Sequence, residues 1–367
     1  MINKLSYYGI KGAALSWFKS YLSDRYQYVE IEKSKSNLLP LKTGVPQGSV
    51  LGPLLFLIYM NDIPNSSSLL KYILFADDTS LLDSINLSIS PNYDSDINSL
   101  NTELSKIYDW LAVNKLSLNV SKTKFMIFHH PMKRVPNDLF LEINNTPIER
   151  VREFCFLGLH INENLTWKTH INKISSKISK YTGIINKLKR FLPQNILRTL
   201  YCSLIQSQLN YCILVWGFEC NRIEKVQKKS IRIITCSKYN AHTEPLLKNL
   251  QLLKVGDLFQ LNILKFYYKL ENARLPVYFD SIVLKSLGDI HGHDTRFKST
   301  IPSNNTRTQS ADKCIRHILP SVLNSTDDLI TSKVYTHTYD SFSSYVKQYI
   351  IKNYSTQCLL QDCYICS

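Results

Sequence analysis

The chain has 367 residues, which predicts two or three domains at about 150 residues each. Apolar residues make up 44% and charged residues 20%, so a buried core is expected and wholesale disorder is excluded. The net charge is +15, and the longest nearly apolar run, residues 50–60, is far shorter than the roughly 18 residues of a membrane-spanning helix. The N-terminus shows no secretory signal, so the nine cysteines are expected to be reduced and the protein to be intracellular.

A loop that opens into an apolar helix is predicted over residues 44–60. Two glycines and a proline at the start of this segment are typical of a loop, and the apolar stretch 54–60 follows. Ser49 is the expected N-cap of a buried helix, and the backbone at Gly48 can approach a substrate closely because glycine has no side chain. A helix-start loop that binds no ligand explains this segment by itself equally well.

Residues 71–82 are predicted to form a short β-hairpin with two carboxylates at its bend. Two apolar runs flank Asp77 and Asp78 and leave no room for a helix between them. Adjacent carboxylates at a hairpin tip hold hard cations well, since Mg²⁺ prefers oxygen ligands and keeps open positions for phosphate oxygens. An ordinary acidic turn is the alternative, because acidic residues are common turn formers. The metal interpretation is favoured by the order of the segments, since a Pro-Gln-Gly loop and helix followed closely by Ala-Asp-Asp seldom arises by chance.

Residues 165–240 carry most of the positive charge, with 14 basic and 2 acidic residues. Three successive segments show helical apolar periodicity, given by Ile171, Ile174, Ile178, Ile185, Leu188 and Leu192 in the first and by Ile223, Val226, Ile231 and Ile234 in the third. Most lysines lie off these stripes. One such helix is best explained as a solvated face, but like charge on three successive helices is costly unless a polyanion faces it. A nucleic-acid backbone is therefore favoured, with an acidic protein or a membrane as alternatives.

Residues 241–280 continue the helical pattern and are interpreted as packing. Their apolar positions are Leu252, Leu253, Leu258, Leu261 and Leu264. From Ser281 onward the chain is richer in Ser, Thr and Asn, and we assign it no chemistry. His291 and His293 are interpreted as solvent-facing loop residues, because no further metal ligands stand at usable spacing.

Three cysteines near the C-terminus have the spacing of a partial zinc knuckle. Cys358, Cys363 and Cys366 form C-x₄-C-x₂-C, but the one candidate for a fourth ligand, His337, is distant in sequence. A zinc site is therefore not expected.

The loop at residues 44–53 and the hairpin at residues 75–78 together resemble the reverse transcriptases of non-LTR retrotransposons, most closely those of jockey-like elements. Palm domains of that family show a Gly-Val-Pro-Gln-Gly-Ser-x-Leu-Gly-Pro block followed by a Phe-Ala-Asp-Asp hairpin, and both stand here. Residues 110–124 resemble the next palm block. Residues 156–171 resemble the hairpin between palm and thumb that grips the primer end, and residues 5–25 resemble the stretch between the first two catalytic blocks.

This resemblance implies an α+β fold. An incomplete right-hand polymerase palm, with an antiparallel sheet and helices, is expected to precede an all-helical basic thumb and a C-terminal helical region. The expected boundaries are 1–43 for a segment connecting fingers and palm, 44–150 for the palm, 151–240 for a primer-grip-like hairpin and the thumb, and 241–367 for the C-terminal region.

The implied activity is that of an RNA-directed DNA polymerase, which transfers nucleotides onto a primer 3′-hydroxyl with two metal ions. The implied partners are an RNA template, a DNA primer and deoxynucleoside triphosphates, and the implied cofactor is Mg²⁺, with Mn²⁺ as an alternative. By resemblance Asp77 is a metal ligand, Asp78 an accessory carboxylate at the same metal, and Lys122 a candidate proton donor to the leaving group. For Lys122, a surface lysine near a turn is the commoner explanation.

The resemblance also implies the remaining contacts with substrate. The residues that place nucleotide and template are Pro46, Gln47, Gly48, Phe75 and Ala76, and the primer-grip residues are Phe156, Leu157 and Gly158. From the charge pattern of the helical segments, the residues expected to lie outside the apolar stripes and to bind nucleic acid are Lys173, Lys177, Lys180, Lys187, Lys189, Arg190, Lys225, Lys228, Lys229 and Arg232.

The family palm carries another essential aspartate on an earlier strand, in a block expected shortly upstream of the segment that corresponds to Leu5. Asp24 is the one aspartate before Gly44 and stands in a loop-like context, so it is no substitute. We therefore expect this polypeptide to be inactive alone. A non-catalytic nucleic-acid-binding remnant and a translated remnant without a selected role are the alternatives. By family, the protein is expected in the nucleus and the cytoplasm.

Overall fold

The computed structural model describes residues 1–355 except 47, 86–92, 134, 137–138, 292–297 and 303–311. The chain divides into two units, Met1–Val151 and Arg152–Ser367. Each unit has its own apolar core, and each is described by itself.

The first unit alternates helices with short strands. Its helices are α1 (Ile2–Tyr7), α2 (Gly12–Leu22), α3 (Leu51–Met60) and α4 (Tyr93–Val113), with a 3₁₀ turn at Ile63–Ser66. Its strands are β1 (Arg25–Gln27), β2 (Glu30–Ile31), β3 (Ser34–Lys35), β4 (Leu39–Leu41), β5 (Lys71–Phe75), β6 (Asp78–Leu82), β7 (Lys124–Phe125), β8 (Leu141–Ile143) and β9 (Thr146–Arg150).

The main core of the first unit lies between α3, α4 and the β5–β6 hairpin. Its buried residues are Met60, Ile63, Leu70, Ile107 and Leu111. Helix α3 is less buried than its sequence predicts, since Leu54 and Leu57 are both more than half exposed. The prediction of a fully buried helix is therefore wrong. Only the face of α3 that packs against α4 and the hairpin is buried, and the opposite face stays exposed although its residues are apolar too.

Helix α1 is held to the rest of this unit by one lysine. The Lys4 ammonium donates to the Asp62 carboxylate at 2.6 Å and to the Tyr59 carbonyl at 2.7 Å. It also lies 4.7 Å and 4.8 Å from the ring centres of Tyr59 and Trp110. Because the lysine side chain is mostly buried, these contacts fix the position of α1 more firmly than a surface ion pair would.

The described strands of the first unit do not form one continuous sheet. Three two-stranded antiparallel pairs, β1–β4, β2–β3 and β5–β6, stand beside a three-stranded sheet in the order β7–β9–β8. In that sheet β7 runs parallel to β9, so the predicted antiparallel sheet is correct only for the hairpins. The mixed sheet packs on α4 through Leu104, Ile143 and Ile148.

The described residues of the second unit form helices and turns apart from one hairpin. The hairpin consists of β10 (Glu153–Phe156) and β11 (Leu159–Asn162). The helices are α5 (Lys168–Leu188), α6 (Gln194–Tyr201), α7 (Ser207–Asn210), α8 (Ile213–Trp216), α9 (Asn221–Ile234), α10 (Thr243–Leu250), α11 (Val255–Glu271), α12 (Leu287–His291), α13 (Ile315–Asn324), α14 (Asp328–Thr331) and α15 (Tyr339–Lys352). A π-helical turn at Cys202–Gln206 joins α6 to α7, and 3₁₀ turns occur at Gly217–Glu219, Val277–Ser281 and Ser332–Tyr335.

The apolar stripes predicted for the basic helices are confirmed. Ile171, Ile174, Ile178 and Ile185 of α5 are all buried. The leucines predicted to pack in residues 241–280 are buried as well. In the third basic segment, α9, Val226 is only partly buried, while the polar residues Gln227 and Ser230 are fully buried and hydrogen-bonded.

No described helix has the length and apolar character needed to cross a membrane.

Candidate functional site

The predicted hairpin with Asp77 and Asp78 at its bend is confirmed. Strands β5 and β6 are antiparallel, and Phe75 pairs with Asp78, so Ala76 and Asp77 form a two-residue loop. Ala76 has φ of 51°, in the left-handed region that two-residue hairpin loops use. Both carboxylates are exposed to solvent.

The core determines which face of this hairpin is open. Tyr72, Leu74 and Leu81 pack against the main core of the first unit. Because neighbouring residues on a strand point to opposite faces, Ile73 and Phe75 lie on the uncovered face, which they share with Asp78. Phe75 is 60% exposed there. The hairpin therefore presents a carboxylate and an aromatic ring side by side.

Ser49 lies one residue before the N-cap position that its sequence predicts for it. The Ser49 hydroxyl accepts a hydrogen bond from the backbone N–H of Gly52 at 3.0 Å, but the regular helix begins at Leu51 and its N-cap residue is Val50. A Cβ on Gly52 would lie 3.0 Å from that hydroxyl, so a larger residue there would require the Ser49 side chain to shift. Gly48 has φ of 80° and is exposed, whereas Pro46 is partly buried. Gln47 lies outside the described residues.

Lys122 lies in an exposed turn. Its backbone N–H donates to the carbonyl of Asn119 at 3.1 Å. In the described part of the chain, no hydrogen bond or ion pair joins Lys122 to Asp77 or Asp78. The proton-donor role therefore remains a prediction without a geometric contact.

The acidic pair is suited to a hard cation but supplies few ligands. Carboxylate oxygens are the ligands that Mg²⁺ and Mn²⁺ prefer. Among the described residues, no group of three or more His, Cys, Asp or Glu side chains could hold a metal ion together. Asp77 and Asp78 thus fit a divalent ion by donor type, and would supply only part of its coordination. The C-terminal cysteines and His293 lie outside the described residues, and His291 is exposed at the end of α12.

The hairpin predicted to resemble the primer grip is also confirmed as a hairpin. Phe156 pairs with Leu159, and the two loop residues, Leu157 and Gly158, have φ of 45° and 81°. Two positive φ values match a type I′ turn, which favours glycine at the second position. The Tyr211 hydroxyl donates to the Leu157 carbonyl, and the Tyr211 ring lies 3.5 Å from the position that a Cβ on Gly158 would occupy.

Tyr211 is itself fixed by the helical core. The fully buried Trp216 donates its indole N–H to the Tyr211 carbonyl at 3.0 Å. Tyr211 therefore connects the tip of the β10–β11 hairpin to the helices of the same unit. No motif in the sequence indicates this contact, because its partners are 54 residues apart.

A buried histidine that the sequence analysis did not single out lies beneath this hairpin. The His170 ring packs between Trp167 and Trp216, with ring centres 6.3 Å and 5.8 Å away. Its Nδ1 accepts a hydrogen bond from the backbone N–H of His160 at 3.3 Å. Burial, together with the neighbouring His160, lowers the pKa of His170 to about 4.

We expect this histidine to make the stability of the protein depend on pH. A histidine in the unfolded chain has a pKa of about 6.5, whereas the folded His170 has a pKa of about 4. Between these pH values the unfolded chain binds a proton at this position and the folded protein does not. The contribution of His170 to the free energy of unfolding is therefore fully present above pH 6.5. That free energy should fall by on the order of 2 kcal/mol as the pH drops from 6.5 to 4. Urea unfolding at pH 7.0 and pH 4.5, followed by circular dichroism, measures this difference. His170→Phe should lose that part of the pH dependence and His317→Asn should keep it, whereas an unchanged dependence in His170→Phe would contradict the assignment.

The residues predicted to contact nucleic acid fall into two groups: some are exposed, and others are partly buried or bonded to other groups of the protein. Lys173, Lys177, Lys180, Lys187, Arg190, Lys225 and Lys229 are exposed, while Lys189 is partly buried. Lys228 forms an ion pair with Glu224 at 2.7 Å. Arg232 is partly buried and donates to the Ala241 carbonyl at 2.8 Å, and burial lowers its pKa. The expectation that Arg232 faces outward is wrong, because the chain folds back over the end of α9.

The exposed cations of α5 and α9 lie on adjoining helices. The Arg222 guanidinium donates to the Asn172 side chain, and the buried hydroxyls of Thr182 and Ser230 lie 2.6 Å apart. Asn172 borders the open surface that Lys173, Lys177 and Lys180 line. Helices α5 and α9 are thus joined along a basic surface, and most of its exposed lysines form no ion pair with a described carboxylate.

The hairpin with paired aspartates and the glycine-containing loop lie within a segment that matches a known family. Residues 2–161 match the model described as reverse transcriptase (RNA-dependent DNA polymerase). Residues 2–161 are therefore similar to reverse transcriptases, and the predicted resemblance to the enzymes of non-LTR retrotransposons is confirmed.

The curated relatives are polymerases of mobile elements. The chain is 27% identical over 285 residues to the RNA-directed DNA polymerase from mobile element jockey of Drosophila melanogaster, a match that covers 73% of this chain and 29% of that protein. It is 23% identical over 269 residues to the jockey polymerase of Drosophila funebris, covering 69% of this chain and 28% of that protein. The chain thus spans less than a third of the length of these relatives.

Proposed function

We propose that the chain contributes to RNA-directed DNA synthesis, in which a deoxynucleotide is transferred onto a primer 3′-hydroxyl paired with an RNA template. A two-metal site needs a further carboxylate besides Asp77 and Asp78, so we expect the chain to be inactive alone. The observation that carries this proposal is the exposed Asp77–Asp78 pair at the tip of a two-residue hairpin loop, inside the segment that matches the reverse transcriptase family. We assign the palm to residues 44–150, the primer-grip-like hairpin and thumb to residues 151–240, and a helical extension to residues 241–367.

Asp77 and Asp78 would hold divalent metal, for which the family favours Mg²⁺. When bound, a pair of such ions activates the attacking hydroxyl and neutralises the leaving pyrophosphate. Asp77 is exposed at the loop and can reach a ligand without moving the strands. Asp78 is the first residue of β6 and pairs with Phe75, so its backbone is fixed more firmly than that of Asp77.

The neighbouring residues would place the nucleotide and the template. Phe75 lies on the same open face as Asp78, so its ring can contact a sugar or base beside the metal. Ala76 has no bulky side chain to obstruct the loop. We also assign Pro46, Gln47 and Gly48 to substrate placement, on family grounds, and Lys122 remains a candidate proton donor.

The β10–β11 hairpin would contact the primer end through Phe156, Leu157 and Gly158. Tyr211 supports this role, since its hydrogen bond to the Leu157 carbonyl holds the hairpin tip against the helical core. A primer-gripping turn needs such support because the reacting hydroxyl must stay within a few tenths of an ångström of its position.

The exposed cations of α5 and α9 would bind the backbone of the primer–template duplex. Their charges have few carboxylate partners, and release of counterions from a polyanion would make binding favourable. A non-catalytic nucleic-acid-binding remnant is the second candidate function, and the same basic surface supports it. Metal dependence separates the two, since only the polymerase requires Mg²⁺ and Asp77. Intracellular action at nuclear DNA is proposed on family grounds.

The duplex-binding part of the proposal is tested by fluorescence anisotropy with a labelled RNA–DNA duplex at several salt concentrations. The variant carries Lys173→Gln, Lys177→Gln and Lys180→Gln, and the charge-matched control carries Lys11→Gln, Lys42→Gln and Lys115→Gln, three exposed lysines of the first unit. We expect the slope of log K against log salt to become shallower by about 2 to 3 in the variant only. Equal slopes in the variant and the control would contradict the assignment.

A further inference from the structure

Two lysines of α11 lie over one tyrosine where α11 packs against α15, and a third lysine interacts electrostatically with one of them. Lys265 and Lys269 stand one turn apart on α11, and their Nζ atoms lie 5.9 Å and 5.3 Å from the centre of the Tyr339 ring. Lys347, two turns further along α15, interacts electrostatically with Lys265. We call this set, with Asp340, the α11–α15 basic cluster.

The position of Tyr339 in the cluster is fixed by packing against a buried neighbour on α11. Tyr268 of α11 is buried and packs edge-on against Tyr339, with ring centres 5.7 Å apart. The Tyr268 hydroxyl donates to the His337 carbonyl at 2.7 Å, which holds the turn that leads into α15. Phe342 packs on the other side of Tyr268 at 5.2 Å. The two helices therefore cannot separate to relieve the charge between them.

The positive charge of the cluster is not balanced within the described part of the chain. Lys265, Lys269 and Lys347 form no ion pair with any described carboxylate, and Asp340 is the one acidic residue that interacts with Lys265. Burial lowers the pKa of Lys265, and the two neighbouring lysines lower it further. Like charges four residues apart on a helix repel each other and destabilise it. A bound anion would remove this repulsion.

We propose that the α11–α15 basic cluster binds the phosphate backbone of a nucleic-acid strand, as a contact separate from the basic surface of α5 and α9. The choice of nucleic acid as the polyanion rests on the proposed function, whereas the preference for an anion follows from the positive charge that Lys265, Lys269 and Lys347 bring together. Tyr339 supports the same partner, because cations held beside an aromatic ring suit the combination of phosphate and base that a single strand presents.

The test uses the full chain and a labelled thirty-nucleotide oligo(dT), which has little structure of its own. The variant is Lys269→Gln with Lys347→Gln, and the control is Lys285→Gln with Lys352→Gln, which removes equal charge from exposed positions outside the cluster. Two lost phosphate contacts should make the slope of log K against log salt shallower by about 1.4 and weaken binding several-fold at low salt. The control should keep the slope of the unmodified chain, and identical slopes in variant and control would overturn the proposal.

Two further measurements separate this proposal from its alternatives. Thermal unfolding of Lys269→Gln with Lys347→Gln should occur at the same or a slightly higher temperature, since repulsion is removed, and a large loss of stability would show that the lysines are structural. If the α11–α15 variant weakens binding while the α5 triple variant does not, the present inference stands and the duplex-binding assignment fails. The reverse result overturns the present inference alone.

Discussion

A purified polypeptide of residues 1–367 should give no templated DNA synthesis above background on a primed RNA template with Mg²⁺ and the four deoxynucleoside triphosphates. Two-metal transfer needs carboxylates around both ions, and the described residues bring together only Asp77 and Asp78. Loss of one stabilising group in such a site costs about 10²–10³-fold in rate. Primer extension resolved on a denaturing gel provides the measurement.

Metal binding gives an independent measure of the same site. Titration with Mn²⁺, followed by its electron paramagnetic resonance signal, should show weak binding that Asp77→Asn removes. Asp83→Asn changes the same charge just beyond the end of β6 and serves as the matched control, with binding unchanged. Templated synthesis by the unmodified chain that Asp77→Asn abolishes would overturn the expectation of inactivity.

Replacing Gln227 with alanine should lower the free energy of unfolding of the second unit by about 3 kcal/mol. The Gln227 side-chain amide donates to the Tyr201 hydroxyl at 2.8 Å and to the Leu253 carbonyl at 2.9 Å, and its carbonyl accepts from the Val255 backbone N–H at 3.0 Å. Alanine would leave three buried polar groups without partners and would open a cavity. Urea unfolding monitored by circular dichroism measures the change.

Two comparisons show whether the hydrogen bonds of Gln227 cause this effect. Gln227→Leu nearly restores the volume but not the hydrogen bonds, so it should still lose about 2 kcal/mol. Gln194→Ala removes an exposed glutamine from the start of α6 and should change stability by less than about 0.5 kcal/mol. A Gln227→Leu protein as stable as the unmodified chain would show that packing alone matters there.

Local patterns were sufficient to predict the hairpins and the basic helices. The Ala-Asp-Asp bend is predictable because the short polar stretch between two apolar runs has no room for a helix and leaves only a tight turn. The face of α5 is predictable because its isoleucines recur at the helical period and nearly all basic residues fall outside that stripe.

Contacts between distant residues could not be predicted in this way. Gln227 looks like one more polar residue on a basic helix, and only its meeting with the turn before α11 shows that it is buried. The spacing of Arg232 in the sequence predicts an exposed cation. In the structure its guanidinium donates a hydrogen bond to the Ala241 carbonyl, because the chain folds back after the end of α9. Tyr211 carries no motif, and its function depends on a hairpin that precedes it by about fifty residues.

The π-helical turn at Cys202–Gln206 has a consequence for how this segment tolerates insertion and deletion. A π turn accommodates one residue more than the α-helical repeat, so it is the form in which a helix absorbs a single-residue insertion. Deleting one residue there would restore a regular α-helix and leave the residues beyond it facing nearly as they do now. The same deletion in the regular part of α6 would rotate everything beyond it by about 100°, so that the fully buried Leu209 would turn away from the core and Tyr211 would no longer reach Leu157. The π turn is therefore the position in this segment that best tolerates the loss of one residue.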